Sequence, residues 1–179
     1  MTQLDPSHIM QTSSAFWASK VLLTAVELKL FTVLGKGSMH AEELGTALGL
    51  HPRGTYDFFD ALVALKFLQR DGDGAQGRYR NTAETAAFLD QKSPTYIGGL
   101  AEMLNSRLFG FWNNLGTALK TGKPQNEIKG GGTSIFEELY ADEARLGEFL
   151  DAMTGFQAAN FGQLAEKFWW AGPELNWRH

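Results

Sequence analysis

The sequence predicts a mainly α-helical domain in which a winged-helix unit with a small β-hairpin wing is flanked by long helices. Three observations lead to this fold class. Apolar residues recur at three-and-four spacing over most of the 179 residues. Two short helical segments meet at a tight turn that contains Gly49 and Pro52. Two strand-like segments then flank a turn with glycines at positions 72, 74 and 77.

The first predicted element is a long helix over residues 6–30. Asp5 suits the N-cap, and Pro6 suits the first helical position, where a missing N–H costs nothing. The apolar stripe of this helix is wide and includes Phe16 and Trp17. We therefore expect it to contact more than one neighbouring helix.

Residues 37–82 contain the predicted winged-helix unit. Helices over 41–48 and 53–65 are joined by the turn, and strand-like segments at 67–70 and 78–80 form the wing. The turn at 72–77 matches the G-x-G-x-x-G pattern of dinucleotide-binding proteins. That pattern requires a helix after the glycines, whereas a strand-like segment follows here, so the sequence favours a hairpin turn.

The remaining elements are predicted to be helical. Thr82 caps a short helix, and longer helices follow over 96–120 and 142–168, with a short helix at 135–140 between them. Residues 121–126 and three glycines at 130–132 form the intervening loop. No Lys-Ser or Lys-Thr pair follows those glycines, which argues against a phosphate-binding loop.

Composition excludes several function classes. The chain has no cysteine, so it has no disulfide and no thiolate metal ligand. Its four histidines are far apart and lack metal-ligand spacing, so we expect caps, turns or tail positions and no metal site. The net charge is −4, and no apolar run approaches the ~20 residues that span a bilayer. We expect a cytoplasmic protein with no membrane and no nucleic acid partner.

The charge of the winged-helix unit bears on DNA binding. Its second helix carries one cation, Arg53, beside Asp57 and Asp60, and the wing arginines are nearly balanced by aspartates. This charge pattern disfavours insertion of the second helix into a DNA groove, because its carboxylates would face the phosphates. A dimeric winged-helix transcriptional regulator is nevertheless kept as the alternative function, and a helical protein that binds aromatic metabolites is a third hypothesis.

Aromatic residues on the three long helices exceed what one small core requires. Obligate homodimers bury on the order of 2,000–5,000 Å² in total, and interlocked helices supply such an area. Because contiguous apolar surface of this extent marks an interaction site, we expect an intertwined homodimer.

Several segments, in their order and spacing, resemble the N-terminal dimerisation region of S-adenosylmethionine-dependent O-methyltransferases of the plant caffeate/hydroxyindole and bacterial antibiotic-tailoring type. They are FWASK (16–20), AVELKLF (25–31), AEEL (41–44), GLHPRG (49–54), FFDALVAL (58–65), RYRNT (78–82) and PTYIGGL (94–100). The resemblance runs from about residue 5 to 168. It implies a dimerisation and winged-helix domain over 1–168 that lends side chains to the acceptor pocket of a methyltransferase.

The resemblance also implies a set of substrate-binding residues near a small, phenolic acceptor. They are Phe16, Trp17, Met103, Phe109, Trp112, Met153, Phe156 and Asn160. No catalytic residue is assigned.

Residues 169–179 depart from the family pattern. In the family, an apolar strand and a glycine-rich turn begin the methyl-donor-binding domain at this point, whereas this sequence reads WWAGPELNWRH. A frameshift, an early stop and a deliberate fragment are all compatible with this tail. We expect the chain alone to bind no S-adenosylmethionine and to be catalytically inactive, although intact family enzymes use that cofactor.

Overall fold

The computed structural model of the chain describes residues 4–131 and 134–167. Within them, helices predominate and three short strands form one sheet. The helices are α1 (Ser7–Glu27), α2 (Leu30–Leu34), α3 (Ala41–Ala47), α4 (Pro52–Ala64), α5 (Ala83–Phe88), α6 (Gly98–Met103), α7 (Phe109–Trp112), α8 (Leu115–Thr121), α9 (Ile135–Tyr140) and α10 (Glu143–Lys167). The predicted fold class, mainly α with a winged-helix unit, is confirmed. The predicted tail at 169–179 lies outside the described residues.

The winged-helix unit follows the predicted order. Helices α3 and α4 are joined by a turn in which Gly49 adopts a φ of +67°, a conformation that favours glycine. His51 caps α4, since its Nδ1 accepts a hydrogen bond from the backbone N–H of Arg53 at 3.2 Å. This places the two helices around one side of the core.

The sheet contains the predicted hairpin and one further strand. Strands β2 (Leu68–Asp71) and β3 (Arg78–Asn81) pair antiparallel, and β1 (Met39–His40) pairs with the other edge of β3. Strand β1 was not predicted from the sequence, because two residues are too few to show an alternating pattern.

The core lies inside the winged-helix unit and the helices next to it. Aromatic rings occupy its centre, where Phe59 and Tyr79 lie with centroids 5.4 Å apart. The buried cluster consists of Ala25, Val26, Leu30, Phe31, Leu34, Ala41, Leu44, Phe59, Leu62, Leu68 and Tyr79. All of these residues precede residue 82, so this part of the chain encloses its own core.

The prediction of one helix over residues 6–30 was wrong at both ends. Helix α1 begins at Ser7, with Pro6 just before it, and the Asp5 carboxylate accepts a hydrogen bond from the Ser7 backbone N–H at 2.9 Å. At the other end, Lys29 adopts a φ of +57° and separates α1 from α2. This break turns the apolar side chains of α2 into the core, where Leu30 is fully buried.

The prediction of one helix over residues 96–120 was also wrong. A π-helical turn (Leu104–Leu108), hereafter the π-turn, joins α6 to α7, and α8 starts only after an interruption at Asn113 and Asn114. Asparagine favours turns over helix interiors because its side chain competes for backbone hydrogen bonds. The other predicted helices are present, and Thr82 caps α5 as expected by accepting a hydrogen bond from the Thr85 N–H.

Candidate functional site

The ends of the two longest helices project from the rest of the chain. Every residue from 7 to 13 on α1 is exposed, as is every described side chain from 157 to 167 on α10. These ends carry apolar side chains: Ile9 is 67% exposed and Phe161 is 59% exposed. Most helical stability in proteins comes from tertiary packing of an apolar face, and these ends have no such packing within the described residues. We therefore expect them to pack against a second surface.

The aromatic pair on α1 lies between its projecting end and its packed end. Phe16 and Trp17 form an edge-to-face contact with ring centroids 5.6 Å apart, and both rings are more than half exposed. Such a pair is a strong apolar anchor when covered. Its exposure extends the uncovered surface of α1 by a further turn.

A cleft, here the α1 cleft, lies between α1 and the helical segment from the π-turn to α7. It has a volume of about 340 Å³. Its lining residues are Ser19, Leu22, Leu23, Leu104, Leu108, Phe109 and Trp112. Beside it, the Lys20 ammonium lies 5.1 Å from the centroid of the Phe109 ring and donates a hydrogen bond to Asn105 Oδ1. The α1 cleft is thus lined mostly by apolar side chains, with one cation nearby.

A second cleft, here the loop cleft, lies on the other side of Trp112. Its volume is about 230 Å³, and it is lined by α7, α8 and residues 124–126 of the following loop. Trp112 lines both clefts and is 68% exposed. This indole therefore separates two neighbouring apolar surfaces.

Arg107 on the π-turn reaches the segment that follows the loop cleft. Its Nε donates a hydrogen bond to Glu127 Oε1 at 2.9 Å, and its Nη2 donates to the same oxygen. Burial opposes ionisation of Glu127, but the hydrogen bonds and charge from Arg107 lower its pKa below the ordinary value overall. Glu127 is thus held as a carboxylate.

Helix α10 packs on α6 at positions with little or no side chain. A Cβ on Gly99 would lie 3.3 Å from the backbone nitrogen of Ala152. A Cβ on Gly155 would lie 3.1 Å from the backbone carbonyl oxygen of Tyr96. Burial and a hydrogen bond to Glu102 raise the pKa of Tyr96 to about 12, so its hydroxyl stays protonated at neutral pH. Close backbone contact fixes the direction in which α10 leaves the domain.

The structure brings only two of the eight predicted binding residues together in the α1 cleft, namely Phe109 and Trp112. Met103 is buried, and Met153 is half-buried on α10. Asn160 is exposed on the projecting end of α10. Phe16 and Trp17 lie on α1 before the first residue of the cleft lining, and the Phe156 side chain lies outside the described part of the structure.

The leucines of the α1 cleft were not predicted as site residues from the sequence. Leu22, Leu104 and Leu108 occur at the helical spacing that also marks core residues, so periodicity gave no reason to separate them. The only available signal was their position next to exposed aromatic residues on the same helices.

The wing does not present free cations to a nucleic acid. Arg70 donates two hydrogen bonds to the Asp60 carboxylate at 2.7 and 2.9 Å. Arg80 pairs with Asp71 at 2.9 Å, and Arg78 donates to Ser38 at 3.0 Å. All three wing arginines therefore have partners within the chain, and nothing in this geometry favours the regulator alternative.

The remaining motifs have structural explanations. The glycine turn at 72–77 leads into β3 and is therefore a hairpin turn, as predicted. Among the described residues, no group of three or more His, Cys, Asp or Glu side chains could hold a metal ion. His40 and His51 occupy helix N-caps, and His179 lies outside the described residues. No helix in the described ranges is long and apolar enough to cross a bilayer.

Fold and surface together define a winged-helix dimerisation domain with an apolar cleft beside its long N-terminal helix. Comparison with known families agrees, since residues 10–91 match the O-methyltransferase dimerisation domain. The chain therefore contains an O-methyltransferase dimerisation domain, as the sequence resemblance implied.

Individual relatives extend the similarity to most of the chain. The sequence is 42% identical over 148 residues to the tetracenomycin polyketide synthesis 8-O-methyl transferase TcmO of Streptomyces glaucescens, a match that covers 83% of this chain and 42% of TcmO. It is 33% identical to the N,N-dimethyltransferase OxyT of Streptomyces rimosus, covering 92% of this chain and 46% of OxyT. The chain thus spans about half the length of the curated relatives it matches.

Solved structures show the same fold. Human N-acetylserotonin methyltransferase in complex with SAM superposes with a TM-score of 0.82 at 22% identity, covering 94% of this chain and 50% of that one. PigF with SAH superposes with a TM-score of 0.76 at 25% identity, a match that covers 92% of this chain and 48% of the PigF chain. The fold of the described residues is therefore that of one half of these methyltransferases.

Proposed function

We propose that this chain is the dimerisation and acceptor-pocket module of an S-adenosylmethionine-dependent O-methyltransferase that methylates a small phenolic hydroxyl. The observation that carries the proposal is the contrast between a closed winged-helix core and flanking helices with uncovered apolar ends. On this proposal the domain spans residues 1–168, and a second copy covers those helices. The proposed dimer and its acceptor are cytoplasmic, without nucleic acid or membrane partners.

The apolar ends of α1 and α10 support a homodimer. They belong to the same chain and are uncovered in the single copy, so two copies related by one symmetry axis can cover each other's ends. Interfaces of obligate dimers resemble a domain core cut in half, which matches the apolar side chains exposed here. Each copy would supply the packing that the other lacks.

The α1 cleft supports an aromatic acceptor. Leucine side chains and two aromatic rings form its walls, and flat rings bind such walls through apolar contact and ring stacking. In a complete enzyme this module would orient the acceptor hydroxyl and exclude water from the transfer. Of the predicted binding residues, Phe109 and Trp112 are assigned to the acceptor wall of their own copy, while Phe16 and Trp17 are assigned to the dimer-facing part of α1.

The described residues do not fit a site for the methyl donor. Their three strands form an antiparallel sheet, and no glycine-rich turn among them leads from a strand into an α-helix. Such a turn would present the free backbone N–H groups of a helix N-terminus to an anionic ligand. We therefore assign no cofactor-binding and no catalytic residue to this part of the chain.

Two measurements test the proposal. Sedimentation equilibrium should give twice the chain mass, and equilibrium dialysis should detect binding of 1-naphthol, a simple bicyclic phenol, that is lost in Trp112→Ala. Isothermal titration with S-adenosylmethionine should give no heat of binding. A monomeric chain, or 1-naphthol binding that Trp112→Ala leaves unchanged, would contradict the assignment.

A further inference from the structure

The Arg107–Glu127 ion pair differs from the other ion pairs in the described part of the chain. Its side chains are only 12% and 8% exposed, whereas every other described pair involves side chains at least 26% exposed. A buried pair keeps a defined geometry because little water competes for its hydrogen bonds. It can therefore hold two segments in a fixed relation.

The two partners belong to segments that line different clefts. Arg107 lies on the π-turn, whose Leu104 and Leu108 line the α1 cleft. Glu127 begins a 3-10 turn (Glu127–Gly130) immediately after residues 124–126, which line the loop cleft. The ion pair thus joins one wall of each cleft, with Trp112 between them.

Stability alone does not account for this pair. Arg107 Nη1 and Gln125 Oε1 are buried without a hydrogen-bond partner among the described residues. Removing charges from water is costly, and incompletely satisfied buried pairs are often no more stable than apolar residues of the same size. A directional contact that fixes the loop is the better explanation.

We propose that Arg107 and Glu127 are positioning residues that set the shape of both clefts by tying residues 124–126 to the π-turn. The inference rests on the proposed function, because it treats the clefts as binding surfaces for the aromatic acceptor. Without this ion pair, residues 124–126 are free to move away from the π-turn. Trp112 then loses its fixed neighbours on the side of the loop cleft.

The double variant Arg107→Met/Glu127→Leu in the full chain tests this inference. It removes both charges together and so avoids leaving one of them buried and unpaired. Trypsin reports on the loop, because cleavage after Lys129 lies inside the 3-10 turn that Glu127 begins. Asp71→Asn is the matched control, since it breaks an exposed ion pair with the same 2.9 Å contact to an arginine Nε.

We expect the double variant to be cut after Lys129 at least about five times faster than wild type, and to bind 1-naphthol about ten times more weakly by equilibrium dialysis. Its melting temperature should stay near that of wild type, and Asp71→Asn should change neither readout. If the double variant does not fold, Arg107→Lys, which keeps the charge but loses the guanidinium geometry, is judged by the same criteria.

Cleavage within twofold of the wild-type rate would overturn the inference. Faster cleavage with unchanged naphthol affinity would also overturn it, because the pair would then hold the loop without shaping the clefts. Failure of the wild-type chain to bind 1-naphthol would instead overturn the proposed acceptor site, and the cleavage rate alone would then decide whether the pair ties the loop.

Discussion

In the winged-helix unit and α2 beside it, Phe31, Phe59 and Tyr79 are fully buried, whereas Trp17 and Trp112 on the flanking helices are about two-thirds exposed. After residue 82, the described apolar side chains that are buried are only Met103, Leu139 and Ala152. The two regions use similar residue types, so composition does not explain the difference. The chain topology explains the difference. The elements between residues 25 and 81 pack on one another around one core, whereas the ends of α1 and α10 project and leave apolar side chains uncovered.

The largest effect that tests this contrast is expected from Phe59→Ala. Phe59 is fully buried against Tyr79, and truncating such a ring costs about 3–5 kcal/mol in free energy of unfolding. Urea unfolding should show this loss at every protein concentration. Phe16→Ala is the matched control, because Phe16 is 52% exposed in the single chain. Its effect should appear only at concentrations where the dimer forms, and an equal loss from both variants would remove the distinction between the regions.

A charge on the projecting end of α1 should break the dimer while the core stays folded. Ile9 is 67% exposed in the single chain, and a carboxylate placed there would be buried in the proposed interface. We expect Ile9→Asp to weaken dimerisation at least about tenfold in sedimentation velocity. The monomer should lose helical circular dichroism signal from the uncovered ends of α1 and α10 but keep cooperative unfolding of the core. Gln76→Asp, at the exposed tip of the wing, adds the same charge and should have no effect.

A smaller effect is expected from acid through Glu127. Its folded-state pKa is lower than the ordinary value of 4.5, so protons bind the unfolded chain first as the pH falls. The ion pair therefore contributes stability above about pH 4.5, and that contribution disappears as the pH falls through the lowered folded-state pKa. Denaturant titrations between neutral and acidic pH should show a shallower decline for Arg107→Met/Glu127→Leu than for wild type. Parallel declines would show that the pair does not titrate in this way.

The smallest effect is expected at the wing. The Arg80–Asp71 pair is 50% and 64% exposed, and exposed pairs contribute roughly 0–1 kcal/mol to stability. Asp71→Asn should therefore leave the urea midpoint and the dimer dissociation constant nearly unchanged. A marked loss of either would mean that the wing, rather than the flanking helices, takes part in the interface.

The sequence predicted the winged-helix unit well because its boundaries carry explicit signals. Gly49 and Pro52 define the turn before α4, and Thr82 is a strong cap for α5. The break at Lys29 had no such signal, since lysine in a left-handed conformation is held there by the packing of α2 rather than by its own preference. The π-turn was equally hidden, because Leu104 and Leu108 keep the four-residue spacing that an α-helix also shows.

The candidate site was predictable only in part. Aromatic residues such as Phe109 and Trp112 attract attention because they are large and adaptable binding surfaces. The leucines beside them follow the same periodicity as core residues, and the Arg107–Glu127 pair joins positions twenty residues apart across a loop. Long-range pairing of this kind depends on the tertiary path of the chain and is not encoded in local spacing.

Sedimentation velocity of the wild-type chain at sub-micromolar concentration tests the central claim most directly. If a second copy covers the apolar ends of α1 and α10, the chain will sediment as a single dimeric species that keeps its full helical signal on dilution. A folded monomer with α1 and α10 intact at the same concentration would contradict the account, because those helix ends would then need no partner.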